Sequence, residues 1–168
     1  AYCPAAAIAL KKFGASQMRE QLQDLLPSFK TGTIFRPLIV SFCCLFEVTS
    51  RKFIKESSES YKKLGIHRIM VPCISRLSVP DILLPFELGV DGVIIIGCSD
   101  SSCLYPTTEK SLLGRIHTAN NVLQEVGIKG KRIDYWKTEG SAEISWSSFW
   151  EISKRKLNNI INNANVKF

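Results

Sequence analysis

The sequence predicts an α/β protein: an open parallel four-stranded sheet with helices on both faces, of flavodoxin-like type, preceded by a short helical N-terminal extension. Three observations point there. Short β-rich segments alternate with segments of helical periodicity from residue 37 onward. The segment 91–97, Asp-Gly-Val-Ile-Ile-Ile-Gly, has the uninterrupted apolar interior of a central parallel strand covered on both faces. Three of the helical segments close on a glycine, at Gly65, Gly89 and Gly127. Right-handed crossovers make 2-1-3-4 the natural strand order.

Residues 1–30 read as a short leader and one helix. Ser16 can cap it, Met18, Leu22, Leu25 and Leu26 recur at helical spacing, and Pro27 ends it. The stretch 28–33 is a linker by composition. An isolated helix of this length is marginal in water, and the linker need not return it to the sheet. Its apolar stripe is therefore expected to bury against a partner protein or an upstream domain.

The first strand is the run 37–44, ending in Cys43 and Cys44. Residues 50–64 form an amphipathic helix with Phe53, Ile54, Tyr61 and Leu64 on one side. The second strand, 67–73, ends at Cys73. The next helix starts at Ser78, with Pro80 in its first turn and Pro85 as a possible bend, and stops at Gly89. After the third strand and a loop come a long helix over 109–126, a fourth strand over 132–136 and a last helix over 143–162.

Lys and Arg number 22 against 15 Asp and Glu, a net charge of +7. The positive residues are dispersed and no nucleic-acid motif accompanies them, so nucleic acid is not an expected partner. Acidic partner proteins or a solvated surface fit better. The apolar runs 5–10 and 93–96 are far too short to span a bilayer, so no direct membrane insertion is expected. No signal peptide is legible and the first residue is Ala1, which suggests a processed product or a piece of something longer. A cytoplasmic location follows as the default, and there clustered cysteines point to metal or redox chemistry before disulfides.

Six cysteines stand at positions 3, 43, 44, 73, 98 and 103. Cys44, Cys73 and Cys98 end the first three strands, and Cys103 lies in the loop after the third. Ligands of open α/β sheets bind outside the carboxyl ends of the strands, near the point where strand order reverses. Four thiols would therefore converge on one edge, an arrangement suited to a 2Fe–2S cluster or a four-cysteine zinc site. Strand alternation turns Cys43 away from Cys44, so it is expected to pack as a small hydrophobe. Nothing else competes as a site. His67 and His117 are isolated, and the serine-rich loop after Cys98 lacks the glycines and lysine of a phosphate-binding loop. Trp136, Trp146, Phe149 and Trp150 read as core and interface residues.

The segment 89–103, reading G-x-D-G-V and then G-C-x4-C, resembles the delta subunit of methyl-viologen-reducing hydrogenase. The strand ending in Cys43-Cys44 and the Val71-Pro72-Cys73 segment extend the resemblance over about residues 35–162. Cys3-Pro4 is similar to the end of a bacterial-type ferredoxin motif, and the stretch 13–26 to the C-terminal part of the A-type subunit of heterodisulfide reductase. The resemblance implies two parts: residues 1–34 as the end of a ferredoxin-like segment with helix and linker, and residues 35–168 as a delta-subunit-like α/β domain fused to it. It implies an electron-transfer module without bond chemistry of its own. Such a module would hold a 2Fe–2S cluster on Cys44, Cys73, Cys98 and Cys103, with backbone amides of the loop after Cys98 as hydrogen-bond donors to sulfur. Its partners would be a hydrogenase or formate dehydrogenase subunit and a heterodisulfide-reductase-like flavoprotein subunit. A 4Fe–4S cluster would belong only to a missing upstream segment, where Cys3 would need further cysteines. Two departures from the family pattern bear on the ligand set. Glu47 stands where the family usually has the second cysteine of C-x2-C, and Leu104 where it often has His. Cys43 or Glu47 could accordingly be recruited as ligands. The alternative is a cluster-less or zinc-binding structural docking domain in the same kind of complex.

Overall fold

The computed structural model describes residues 14–25, 38–45, 66–100, 103–137, 158–160 and 162. Strands β1 (Ile39–Cys44), β2 (Ile66–Val71), β3 (Gly92–Gly97) and β4 (Ile133–Lys137) form one sheet in the order β2-β1-β3-β4. Every neighbouring pair is parallel. This is the expected α/β architecture and strand order. In register, Cys43 lies opposite Met70 on β2 and Ile96 on β3, and Cys44 lies opposite Val71.

The central strands β1 and β3 are buried at every position, whereas β2 and β4 alternate between buried and half-buried residues. The difference follows from position: an inner parallel strand has neighbours on both sides and cover on both faces. The sheet separates two apolar clusters. One joins Val40, Phe42, Cys44, Ile69, Val71, Val93 and Ile95 to the helices α2 (Val79–Glu87) and α3 (Glu109–Glu125). The other holds Ile39, Cys43, Ile66, Ile94, Ile96 and Trp136, with Ile160 from the last helical residues laid against them. Ile160 comes so close to Gly92 that a Cβ there would collide with it. Each fully buried aliphatic side chain contributes roughly 1.5–3 kcal/mol, so these clusters carry most of the stability.

Local signals place the helices. Ser78 caps α2 through a capping box: its hydroxyl accepts from the Asp81 amide at 3.3 Å, and Asp81 accepts from the Ser78 amide at 2.9 Å. Pro85 lies inside this helix as expected. At the end of α3, Gly127 adopts φ 87°, a conformation that favours glycine, and its amide donates to the Gln124 carbonyl at 3.0 Å. The Ile128 amide then reaches back to Leu123 at 2.8 Å, which completes the stop. No helix among the described residues is long and apolar enough to cross a membrane.

The N-terminal helix α1 (Ala15–Leu25) departs from expectation. Met18 and Leu22 are buried in the same cluster as Phe42, Ile69 and Ile82, so the helix docks on its own α/β domain. Arg19 also meets Glu87 of α2 at 2.9 Å. The stripe does require burial, as its spacing indicated, but it covers the face of the sheet that also carries α2. The ion pair is exposed and adds little; the buried Met18 and Leu22 account for the docking. The expected helix over 50–64, most of the last helix over 143–162, Cys3 and Glu47 lie outside the described residues.

Candidate functional site

The cysteines fall at the carboxyl edge of the sheet. Cys44 is the last residue of β1, Cys73 follows β2, Cys98 follows β3 directly, and Cys103 lies beyond it. One cleft on this edge is lined by Cys73, Cys98 and Cys103, together with Ser75, Asp100, Tyr135 and Lys137. Cys44 lies behind Cys73 and is buried, with its thiol directed at the Pro72 carbonyl at 3.7 Å. The structure thus puts the four expected cysteines on one edge of the sheet, three on the cleft wall and Cys44 buried next to Cys73. Cys43 lies on the opposite face in the second apolar cluster, as alternation required.

The turn after β2 is held from outside. Residues Ile74–Arg76 make a single 3-10 turn, and Arg115 on α3 donates to the carbonyls of Ser75 and Leu77 at 2.8 and 2.7 Å. The Cys73 sulfur lies 2.9 Å from the Ser75 hydroxyl. On the other wall, the Cys103 amide donates to the Ser99 carbonyl at 3.0 Å and closes the stretch that begins at Cys98. Gly97 ends β3 at a tight spot: an added Cβ would lie 2.6 Å from the Tyr135 hydroxyl and 2.8 Å from Ile74.

Electrostatics favour the protonated form of Cys73 and Cys43 where no metal is bound. The Cys73 thiol is pushed up, first by the neighbouring Cys44 thiol and then by burial. Burial pushes the Cys43 thiol up to about 12. A thiophilic metal reverses this by deprotonating its ligands outright. Burial also raises Tyr135, with Glu109 beside it adding to the effect. Lys137 is raised by its contacts with Asp100 and Glu109.

Among the described residues, no three His, Cys, Asp or Glu side chains are grouped closely enough to hold a metal ion. The fit to a thiolate-ligated cluster therefore lies in donor type, number and address. It does not lie in a preformed cage. His67 is half-buried on β2 and His117 exposed on α3, and neither lines the cleft. Ser101 and Ser102, expected amide donors, lie outside the described residues. Tyr135 and Lys137 are cleft residues that the sequence patterns did not single out. The rule that located the cysteines, applied to the carboxyl end of the fourth strand, points at both.

A parallel α/β domain carries a cysteine-walled cleft at the carboxyl edge of its sheet. The family model for the methyl-viologen-reducing hydrogenase delta subunit (FlpD) matches residues 39–160, and the chain belongs to that family. It is 28% identical over 120 residues to the D-type iron-sulfur subunit of the vhu F420-non-reducing hydrogenase of Methanocaldococcus jannaschii, covering 71% of this chain and 90% of that protein. The counterpart from Methanopyrus kandleri is 22% identical over 119 residues, covering 70% and 90%. The A-type subunit of the ferredoxin:CoB-CoM heterodisulfide reductase of Methanosarcina mazei is 24% identical over 123 residues, covering 71% of this chain and 16% of that much longer protein.

Proposed function

We propose that the protein is an electron-transfer module. Its cleft holds a 2Fe–2S cluster on Cys44, Cys73, Cys98 and Cys103. It passes electrons between a hydrogenase- or formate-dehydrogenase-type subunit and a heterodisulfide-reductase-like flavoprotein subunit in the cytoplasm. The observation that carries this reading is the convergence of four thiols from β1, β2 and β3 on one edge, three of them on a single cleft. Membership of the delta-subunit family supports it, as do relatives named as iron-sulfur subunits. Residues 1–34 are read as the continuation of a chain like the A-type subunit of heterodisulfide reductase. The matched A-type subunit is far longer, the match covering 16% of it, which supports a domain of this kind standing within such a chain.

When bound, the cluster supplies one-electron chemistry. The chain's own residues do the rest. The apolar cluster behind Cys44 keeps water from that side of the site. The Arg115-held turn fixes Cys73, and the Ser99–Cys103 hydrogen bond fixes the second wall. Hydrogen bonding to sulfur and burial tune the potential. Anaerobic purification followed by visible absorption and electron paramagnetic resonance tests the proposal. Broad sulfur-to-iron charge-transfer bands, and a signal on reduction, are expected. A colourless chain carrying stoichiometric zinc, or no metal at all, would establish the zinc or docking reading instead.

A further inference from the structure

On β4, Lys137 stands opposite Gly97, the residue immediately before Cys98. Its ammonium bridges two carboxylates, forming an ion pair with Asp100 and another with Glu109 at 2.9 Å. Glu109 is the first residue of α3, where the helix dipole favours a carboxylate. Lys137 is therefore anchored twice, by the sheet ladder and by the helix. Asp100 differs: its side chain is 81% exposed, and it belongs to the stretch between Cys98 and Cys103. The Cys103-to-Ser99 hydrogen bond closes that same stretch.

We propose that Lys137 is a positioning residue for the cysteine-bearing wall of the cleft: from the end of β4 it holds Asp100, and with it Cys98 and Cys103, against the start of α3. The role is one of geometry. The Asp100 arm is exposed and such an ion pair adds little to global stability, whereas groups that orient metal ligands commonly change metal retention by roughly 10–100-fold when removed. Lys137 thus governs the order of the wall while leaving the fold as stable as before. The iron-retention part of the test rests on the cluster reading above; the amide part does not.

The experiment compares wild type, Lys137→Gln, Lys137→Arg and Asp100→Asn. In the metal-free chain, amide exchange at Cys103 is followed by nuclear magnetic resonance. In the iron-loaded chain, iron release to a chelator is timed. Lys137→Gln and Asp100→Asn should each speed Cys103 exchange several-fold and release iron about tenfold faster or more. Lys137→Arg, which keeps the charge, should restore both, and the urea midpoint should stay that of wild type throughout. Unchanged Cys103 exchange in Lys137→Gln would overturn the proposal. So would an equal loss of global stability, which would make Lys137 simply structural. If wild type takes up no iron, the cluster reading fails, and the amide comparison still decides the role of Lys137.

Discussion

On one face of β1, Cys43 lies among Ile39, Ile66, Ile94, Ile96, Trp136 and Ile160. On the other, its neighbour Cys44 lies at the edge of a cleft that Cys73, Cys98 and Cys103 line. One residue type, one position apart, meets two environments. The first is dry and closed, and burial there keeps the Cys43 thiol protonated and inert. The second is equally buried but adjoins the sheet's carboxyl edge, where other thiols gather because parallel strands all present their carboxyl ends to the same side. The chemistry of a cysteine in this fold is therefore set by which face it points to and how close it stands to a strand end.

The largest effect that can break this comparison is on the helix-covered face. Leu22→Ala removes a fully buried side chain from the α1 interface and should cost roughly 2–5 kcal/mol, read from urea unfolding. A change below about 0.5 kcal/mol would mean that α1 does not share the core, as expected only of a surface site. Next is Gly97→Ala at the cleft itself. The new methyl must displace the Tyr135 hydroxyl and Ile74, which should cost about 1–3 kcal/mol and alter the tyrosine's fluorescence and its hydroxyl titration. An unchanged Tyr135 environment would show that the strand end is looser than these close approaches require.

The smallest effect sharpens the contrast. Cys43→Ala should cost only about 1 kcal/mol at neutral pH. Its signature is in alkali. The folded thiol titrates near 12 and the unfolded one near 9.0, so below pH 9 both states keep the proton. Between pH 9 and 12 only the unfolded chain releases it, and stability falls as pH rises. The difference in unfolding free energy between wild type and Cys43→Ala should shrink and then reverse sign across that window. A constant difference would place the Cys43 thiol in water.

Much of the fold is legible in the sequence, for identifiable reasons. The short, β-branched apolar 91–97 segment reads as an inner parallel strand, and Ser78 with Asp81 spells a helix start, so β3 and α2 emerge nearly to the residue. The cysteine edge is legible because it needs only strand ends and topology. The docking of α1 is not, because an apolar stripe shows that a face is buried and leaves open what covers it. Lys137 is hidden because the sequence pattern ends the fourth strand at Trp136. The strand runs one residue further, and that residue reaches the cleft.

The central claim is that the four thiols at the sheet's carboxyl edge, and not Cys43, hold the cluster. The most direct measurement is iron and acid-labile sulfide per chain in anaerobically prepared Cys44→Ser, Cys73→Ser, Cys98→Ser, Cys103→Ser and Cys43→Ala variants beside wild type. The account predicts about two iron and two sulfide in wild type and in Cys43→Ala. It predicts severe loss in each of the four serine variants, since a hydroxyl is a poor ligand where thiolate is needed. Full retention in any one of those four, or loss in Cys43→Ala alone, would contradict it.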